Sequence, residues 1–233
     1  MKDKVGQVIG FGGGRGMGRV DFRLYLICDR HRIGAKTLPQ FIEAAAEGGV
    51  RAMQFREKDL SLADQRRLLQ QAMPVARRYG VRLLVNERVD LCQAVGADGV
   101  HLTATGLPVP VARALMTADQ LLSVSCHSVA EVRQAEADGA NFAVLGPIYD
   151  TPSKRSFGPP LGLAVLKQAR QAVSLPLFAI GGIRSDCLAN LFAAGADGVA
   201  VISEIAAASD VRARCRALLD QIDRLKPASR ERS

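Results

Sequence analysis

Gln54, Arg56 and Lys58 follow one another at the end of an apolar run, Met53-Gln54-Phe55-Arg56-Glu57-Lys58. An amide, a guanidinium that binds oxygens bidentately and a mobile ammonium together suit the oxygens of a diphosphate. The competing reading is a salt-bridge cluster of these cations with Glu57 and Asp59. Further along, Asn86-Glu87-Arg88-Val89-Asp90 offers Glu87 as a single-oxygen ligand for Mg2+ and Asn86 as a partner for a heteroaromatic ring or a phosphate. The same residues could instead cap a helix that begins near Asp90. His101 precedes Leu102-Thr103-Ala104-Thr105-Gly106, which supplies hydroxyls and no carboxylate. A lone histidine inside an apolar run reads as a hydrogen-bonded core residue.

Three later stretches add chemistry. In Ser125-Cys126-His127-Ser128 an imidazole could move protons at neutral pH. Against this, Ser128-Val129-Ala130-Glu131 has the spacing of a capping box, and His127 could belong to that cap. The stretch Gly146-Pro147-Ile148-Tyr149-Asp150-Thr151-Pro152-Ser153-Lys154 is a long loop whose Thr151, Ser153 and Lys154 suit a phosphate, or else it is an exposed loop. Gly181-Gly182-Ile183 and Val201-Ile202-Ser203 give the strongest local signal. Two glycines let backbone approach an anion, and a helix beginning near Ser203 would aim its free amides at the same point.

These residues need a scaffold that brings them to one place. From Leu24 onward, short apolar runs alternate with amphipathic stretches. The runs are Leu24–Cys28, Ala52–Phe55, Arg82–Asn86, Gly99–Leu102, Leu122–Cys126, Phe142–Leu145, Leu177–Ile180 and Gly198–Ile202. They are continuous, as in parallel strands buried on both faces. Between them lie helical periods such as Leu62–Tyr79, with Leu68, Leu69, Ala72 and Val75 on one side. An internal echo, Gly48-Gly49-Val50, Gly96-Ala97-Asp98, Gly139-Ala140-Asn141 and Gly195-Ala196-Asp197, joins helix ends to the next strand. Glycine there permits the left-handed helix cap. Eight such units close into a single-domain (β/α)8 TIM barrel spanning residues 23–225, with a doubly wound open sheet as the alternative. Residues just after each strand then line one face, which is where every candidate above falls.

Residues 1–22 read as a flexible basic leader and 226–233 as a disordered basic tail. Gly10–Gly18 is rich in glycine but fails the G-x-G-x-x-G spacing, and no apolar-periodic helix follows it. Of the net charge of +8, residues 1–23 and 224–233 carry +3 each, so the body keeps +2. With no aromatic interleaving, this argues against nucleic-acid binding. No window approaches about 18 uninterrupted apolar residues, so no membrane span is expected. The five cysteines are scattered without C-x-x-C spacing and read as reduced core residues of a cytoplasmic protein. Whether the barrel forms a homo-oligomer is open.

Taken together and in order, Gln54-x-Arg56-Glu57-Lys58, Asn86-x-Arg88-x-Asp90, Asp98-Gly99-Val100-His101-Leu102, Ser125-x-His127, Gly146-Pro147-x-Tyr149-x-Thr151-x-Ser153-Lys154, Gly181-Gly182-Ile183 and Val201-Ile202-Ser203 resemble the thiamine phosphate synthase and thiazole tautomerase family. The resemblance covers about Leu24 to Leu225. It implies a transferase of thiamine biosynthesis that joins hydroxymethylpyrimidine diphosphate to a thiazole phosphate and releases diphosphate. In that reading Gln54, Arg56, Lys58, Asn86 and Lys154 hold the pyrimidine diphosphate, and Ser125 lies beside the pyrimidine. Gly182, Ile202 and Ser203 hold the thiazole phosphate.

Two positions depart from the synthase pattern. The synthases hold magnesium with an Asp after the Asn and with a second Asp just beyond His-Leu. This chain has Glu87 at the first and no carboxylate near Gly106. The tautomerase branch, which isomerises the thiazole phosphate without metal, also lacks the second Asp, and its catalytic histidine is matched by His127. Gln54 and the Thr151-x-Ser153-Lys154 loop are synthase-like. A non-catalytic binding module for phosphorylated ligands is the third reading.

Overall fold

The computed structural model describes residues 18–152, 155 and 158–225. Eight parallel strands follow one another around a closed barrel: β1 Leu24–Cys28, β2 Ala52–Phe55, β3 Arg82–Asn86, β4 Gly99–Leu102, β5 Leu121–Cys126, β6 Phe142–Leu145, β7 Leu177–Ala179 and β8 Gly198–Val201. β8 pairs back onto β1, with Leu24 opposite Val199. The helices outside are α1 Leu38–Glu47, α2 Leu62–Arg78, α3 Val89–Val95, α4 Val109–Ala114, α5 Val129–Ala137, α6 Gly162–Ala172, α7 Leu188–Ala193, α8 Ser203–Ala206 and α9 Val211–Arg224. The expected (β/α)8 barrel is therefore the observed fold. β5 begins one residue earlier than the apolar run suggests, and β7 and β8 each end one residue sooner.

Alternation along each strand divides the core in two. Outward residues such as Leu26, Met53, Leu83 and Val100 pack beneath the helices. Inward residues, including Tyr25, Ala52, Leu84, Phe142 and Phe178, fill the barrel. This two-sided burial is why the strands read as unbroken apolar runs.

The sequence echo has a second cause beyond glycine. Gly49, Gly96, Gly139 and Gly195 do take positive φ at the helix ends. The residue before the strand also acts, as a clamp. Asp98 accepts from the Leu83 amide at 2.9 Å, Asn141 from the Leu122 amide at 2.7 Å and Asp197 from the Leu177 amide at 3.0 Å. In each case the clamp residue's own amide returns a bond to the carbonyl of that same leucine. The paired bonds fix the register of β3 with β4, β5 with β6 and β7 with β8.

The leader was expected to run through residue 22, yet residues 18–22 close the barrel's lower end. The Phe22 ring lies 5.5 Å from both Phe142 and Phe178. Burying such a ring contributes about 1.5–3 kcal/mol, enough to hold an otherwise polar strand of chain in place. Asp21 adds an ion pair to Arg82, and Asn141 donates to the Gly18 carbonyl. Residues 1–17 and 226–233, where the rest of the leader and the tail were placed, lie outside the described residues.

Above the aromatic floor, the next inward layer is Ile27, Gln54, Asn86, His101, Ser125, Val144, Ile180 and Ile202. It is polar on β2 to β5 and apolar on β6, at the ends of β7 and β8, and on β1. All eight of these residues form the base of a single cavity.

Candidate active site

The cavity opens at the C-terminal ends of the strands and encloses about 730 Å³. That falls within the usual range for small-molecule sites, about 300–1,000 Å³. Its wall brings together Gln54, Arg56, Lys58, Asn86, Ser125, His127, Thr151, Gly181, Gly182, Ile202 and Ser203. Two further candidates, Ser153 and Lys154, lie outside the described residues. Glu87 does not reach the wall.

The salt-bridge cluster weighed for the end of β2 exists, but a different arginine makes it. Arg30, in the loop after β1, donates its amide to Glu57 at 2.8 Å and its guanidinium to both Glu57 and Asp59. His31 also meets Asp59, at 3.1 Å. These contacts hold the Asp59 carboxyl well below its ordinary range, the Arg30 hydrogen bond acting first. Because Glu57 and Asp59 are already paired, Lys58 is left to the cavity, and Arg56 meets Asp29 on the same wall.

Charge in the cavity is one-sided. Each of its three wall carboxylates has an arginine of its own: Asp29 pairs with Arg56 at 3.3 Å, Asp150 with Arg155 at 2.6 Å, and Glu204 with Arg214. Arg32, Lys58 and Arg184 also line the wall and make no ion pair with a described residue. Cations without local partners in a concave, partly desolvated site attract anions strongly. Arg32, Arg184 and the supporting Arg30 and Arg214 were not among the sequence candidates. Arg32 was findable, because it follows the first strand on the functional face; Arg214 was not, because it reaches the site from α9.

At the end of β2, Gln54 is 1% exposed and donates to the Asn86 side chain at 3.3 Å. Asn86 in turn donates to Glu87 at 3.0 Å. The helix-capping network proposed for this stretch is absent, since α3 has Arg88 at its N-cap with no side-chain cap bond.

At β5, the capping-box alternative for His127 is half realised. Ser128 accepts from the Glu131 amide as the box requires. The Glu131 carboxylate, however, reaches one residue further back, to the His127 amide at 2.7 Å and to its Nδ1 at 3.3 Å. His127 is therefore on the wall but tied through Nδ1. Cys126 beside it is no nucleophile, because burial, and to a lesser degree the Glu131 charge, pushes its thiol up to about 12.

His101, expected in the core, is 4% exposed and yet one of the wall residues. Its Nδ1 lies 2.7 Å from Ser123 Oγ and its Nε2 2.8 Å from Ser125 Oγ. Burial, helped by the nearby Arg56 charge, lowers its pKa to about 3. The ring is neutral at physiological pH.

The glycine pair after β7 has a steric role besides the anion contact inferred from sequence. Gly181 and Gly182 have φ of +95° and +64°. A Cβ on Gly181 would stand 2.5 Å from Pro147 Cβ, and one on Gly182 would stand 2.7 Å from the Asp150 carbonyl oxygen. Backbone bonds from Ile148 to Ile180 (2.8 Å) and from Tyr149 to Gly181 (3.1 Å) tie the two loops together. The helix expected near Ser203 is the four-residue turn α8. Ser203 and Glu204, at the start of this turn, line the cavity together with the glycines. Glu204 would repel an anion here, and Arg214 neutralises it while the Ser185 amide bonds the same carboxylate at 3.2 Å. Arg214→Ala should therefore leave the Glu204 charge uncompensated on the wall and weaken binding of inorganic phosphate to the cavity about tenfold, which calorimetric titration checks.

In comparison with known proteins, the model of the thiamine monophosphate synthase family matches residues 24–205. A protein of Geobacter sulfurreducens is 46% identical over 203 residues, covering 87% of this chain and 95% of the relative. The thiamine-phosphate synthase of Chloroflexus aurantiacus is 43% identical, with 85% and 92% covered. Among solved structures, thiamine phosphate pyrophosphorylase from Pyrococcus furiosus superposes with a TM-score of 0.78 at 30% identity, covering 91% of this chain and 98% of that one.

Proposed function

Because the chain belongs to the thiamine monophosphate synthase family, we propose that it is the transferase of thiamine biosynthesis that couples hydroxymethylpyrimidine diphosphate to thiazole phosphate. The observation that carries this reading is the pairing pattern of the cavity. Every wall carboxylate is taken up by an arginine, and cations are left over at both sides of the mouth. A cavity so arranged suits two phosphorylated substrates.

The chemistry follows from the residues. Gln54, Arg56 and Lys58, with Asn86, hold the diphosphate at the ends of β2 and β3. Thr151, Ser153 and Lys154 belong to the same task in this assignment. The bond between the pyrimidine methylene carbon and the diphosphate oxygen breaks, and its electron pair leaves with the diphosphate. Charge builds on those oxygens, where fixed cations stabilise it most. The thiazole nitrogen then donates its lone pair to the methylene carbon, forming the new C–N bond. No proton moves, so no general base is needed. Gly181, Gly182, Ile202 and Ser203 hold the thiazole phosphate so that its ring faces the cation. Val144, Ile180 and Ile202 line that side with apolar surface and keep water from the carbocation.

Magnesium would add positive charge on the leaving diphosphate. Glu87 is the carboxylate to test for it. Both of its oxygens accept hydrogen bonds, one from Thr103 Oγ1 at 2.5 Å and the other from Asn86 Nδ2 at 3.0 Å. Among the described residues no three His, Cys, Asp or Glu side chains group around a common point. These residues do not fit a metal site held by two protein carboxylates, and no step is assigned to a metal. One place for a second carboxylate is Gly106, whose added Cβ would lie 3.4 Å from Glu87 Oε1 and 3.1 Å from Thr103 Oγ1. Gly106→Asp should then lower the Mg2+ concentration giving half-maximal activity by about tenfold, since Mg2+ is usually held by one or two carboxylates plus substrate phosphates. Activity measured across a Mg2+ titration reads this directly.

The whole reading is tested by mixing purified protein with both substrates and Mg2+ and following thiamine phosphate. No product above background would end it. His127→Ala separates it from thiazole isomerisation, because the synthase reaction should lose less than threefold and an isomerase with His127 as its acid and base should lose its activity.

A further inference from the structure

His101 is the one buried titratable side chain in the cavity base that the reaction above leaves without a task. It sits on β4, opposite Ser123 of β5 in the strand register. The alternation of β5 puts Ser123 and Ser125 on the same inward face, two residues apart, so that one ring can reach both. Ser123 is fully buried below the ring, and Ser125 is on the cavity wall above it.

The direction of the two hydrogen bonds can be derived. A neutral imidazole has one N–H and one lone pair, so it donates to one serine and accepts from the other. The Ser123 hydroxyl also faces the buried Tyr25 hydroxyl, which has no other hydrogen-bond partner among the described residues, so a Ser123 hydrogen spent on Tyr25 would leave the Tyr25 O–H without an acceptor. A buried O–H without an acceptor costs more than a hydroxyl oxygen with an unused lone pair. Ser123 therefore donates to Nδ1, which puts the ring proton on Nε2. Nε2–H then donates to Ser125 Oγ, and the Ser125 hydroxyl hydrogen is free to point into the cavity.

This is not a nucleophile and its base. No carboxylate contacts the ring, and nothing else would support an imidazolium there. We propose that His101 is a positioning residue: it fixes Ser125 as a hydrogen-bond donor aimed at an acceptor nitrogen of the heteroaromatic ring bound in the cavity. The inference rests on the transferase reading for the identity of that ring, the pyrimidine. A donor held in one orientation keeps the pyrimidine methylene in line with both the diphosphate and the incoming thiazole, and misplacement costs rate more than affinity.

The test has two arms. In the first, 15N-histidine labelling gives three side-chain signal pairs, for His31, His101 and His127. His101 should show a fixed neutral ring protonated at Nε2, and Ser125→Ala should shift the Nε2 signal while leaving Nδ1 in place. A ring protonated at Nδ1, or no response to Ser125→Ala, overturns the proposal. This arm needs no turnover, so it decides the point even if the protein forms no thiamine phosphate and the transferase reading falls.

The second arm is kinetic. His101→Leu should lower kcat about thirtyfold with KM for thiazole phosphate unchanged. His101→Gln, whose amide can accept from Ser123 and donate to Ser125, should recover activity to within about threefold of the original. The Ser125→Ala and His101→Leu double variant should be no slower than Ser125→Ala alone. Full activity in His101→Leu, or losses that multiply in the double variant, would refute the role. The Gln variant guards against a folding defect, because it keeps the buried volume and both hydrogen bonds.

Discussion

Arg56→Ala should lower kcat/KM for thiamine phosphate formation by about 10²–10³-fold, the loss typical when one fixed charge-stabilising group is removed from a reacting centre. Arg56 is held on the cavity wall by Asp29 at 3.3 Å, and Arg30 occupies the neighbouring Glu57, which would otherwise compete for it. Most of the loss falls on kcat, because charge on the leaving diphosphate is larger in the transition state than in the bound substrate. Arg56→Lys recovers little, since an ammonium cannot hold two oxygens and Asp29 together in the same geometry. Single-turnover measurements with both substrates saturating check this. A loss confined to KM would mean that Arg56 serves binding alone.

Gly181→Ala should lower the melting temperature by about 5–15 °C. Two costs add at that position: a left-handed backbone for a residue with a Cβ, and a 2.5 Å approach to Pro147 Cβ in a part of the loop that cannot give way. Strain of this kind costs about 1–3 kcal/mol and overpacking a similar amount, and each kcal/mol moves the midpoint of a domain this size by about 2–4 °C. Gly139→Ala is the control. It has φ of +85° but nothing within 4 Å of the added Cβ, so it should show the backbone cost alone. Equal shifts for the two variants would show that the contact with Pro147 is easily relieved. Because Gly181 and Pro147 both line the cavity, the same substitution should also weaken thiazole phosphate binding.

Much of this protein was legible in its sequence. The strands were readable because a parallel strand buried on both faces is mostly apolar, and Phe142–Leu145 or Gly198–Val201 permit little else. The ends of those runs placed most of the candidate residues, because the barrel puts residues that follow its strands on one face. The echo of Gly-Ala-Asp was visible too, although its Asp half made sense only once Asp98 and Asp197 were seen to clamp Leu83 and Leu177.

Partner choice was not legible. The sequence showed Glu57 and Asp59 beside Arg56 and Lys58, and neighbours in sequence suggested neighbours in charge. The folded chain assigns Glu57 and Asp59 to Arg30 from the loop of the neighbouring strand β1, assigns Glu204 to Arg214, and couples His101 to two serines on the adjacent strand. Local spacing determines which residues face the cavity, since period and strand end are properties of short segments. Which charges are cancelled and which remain for a substrate depends on loops far apart in the chain meeting at one point, and only the closed barrel brings them there.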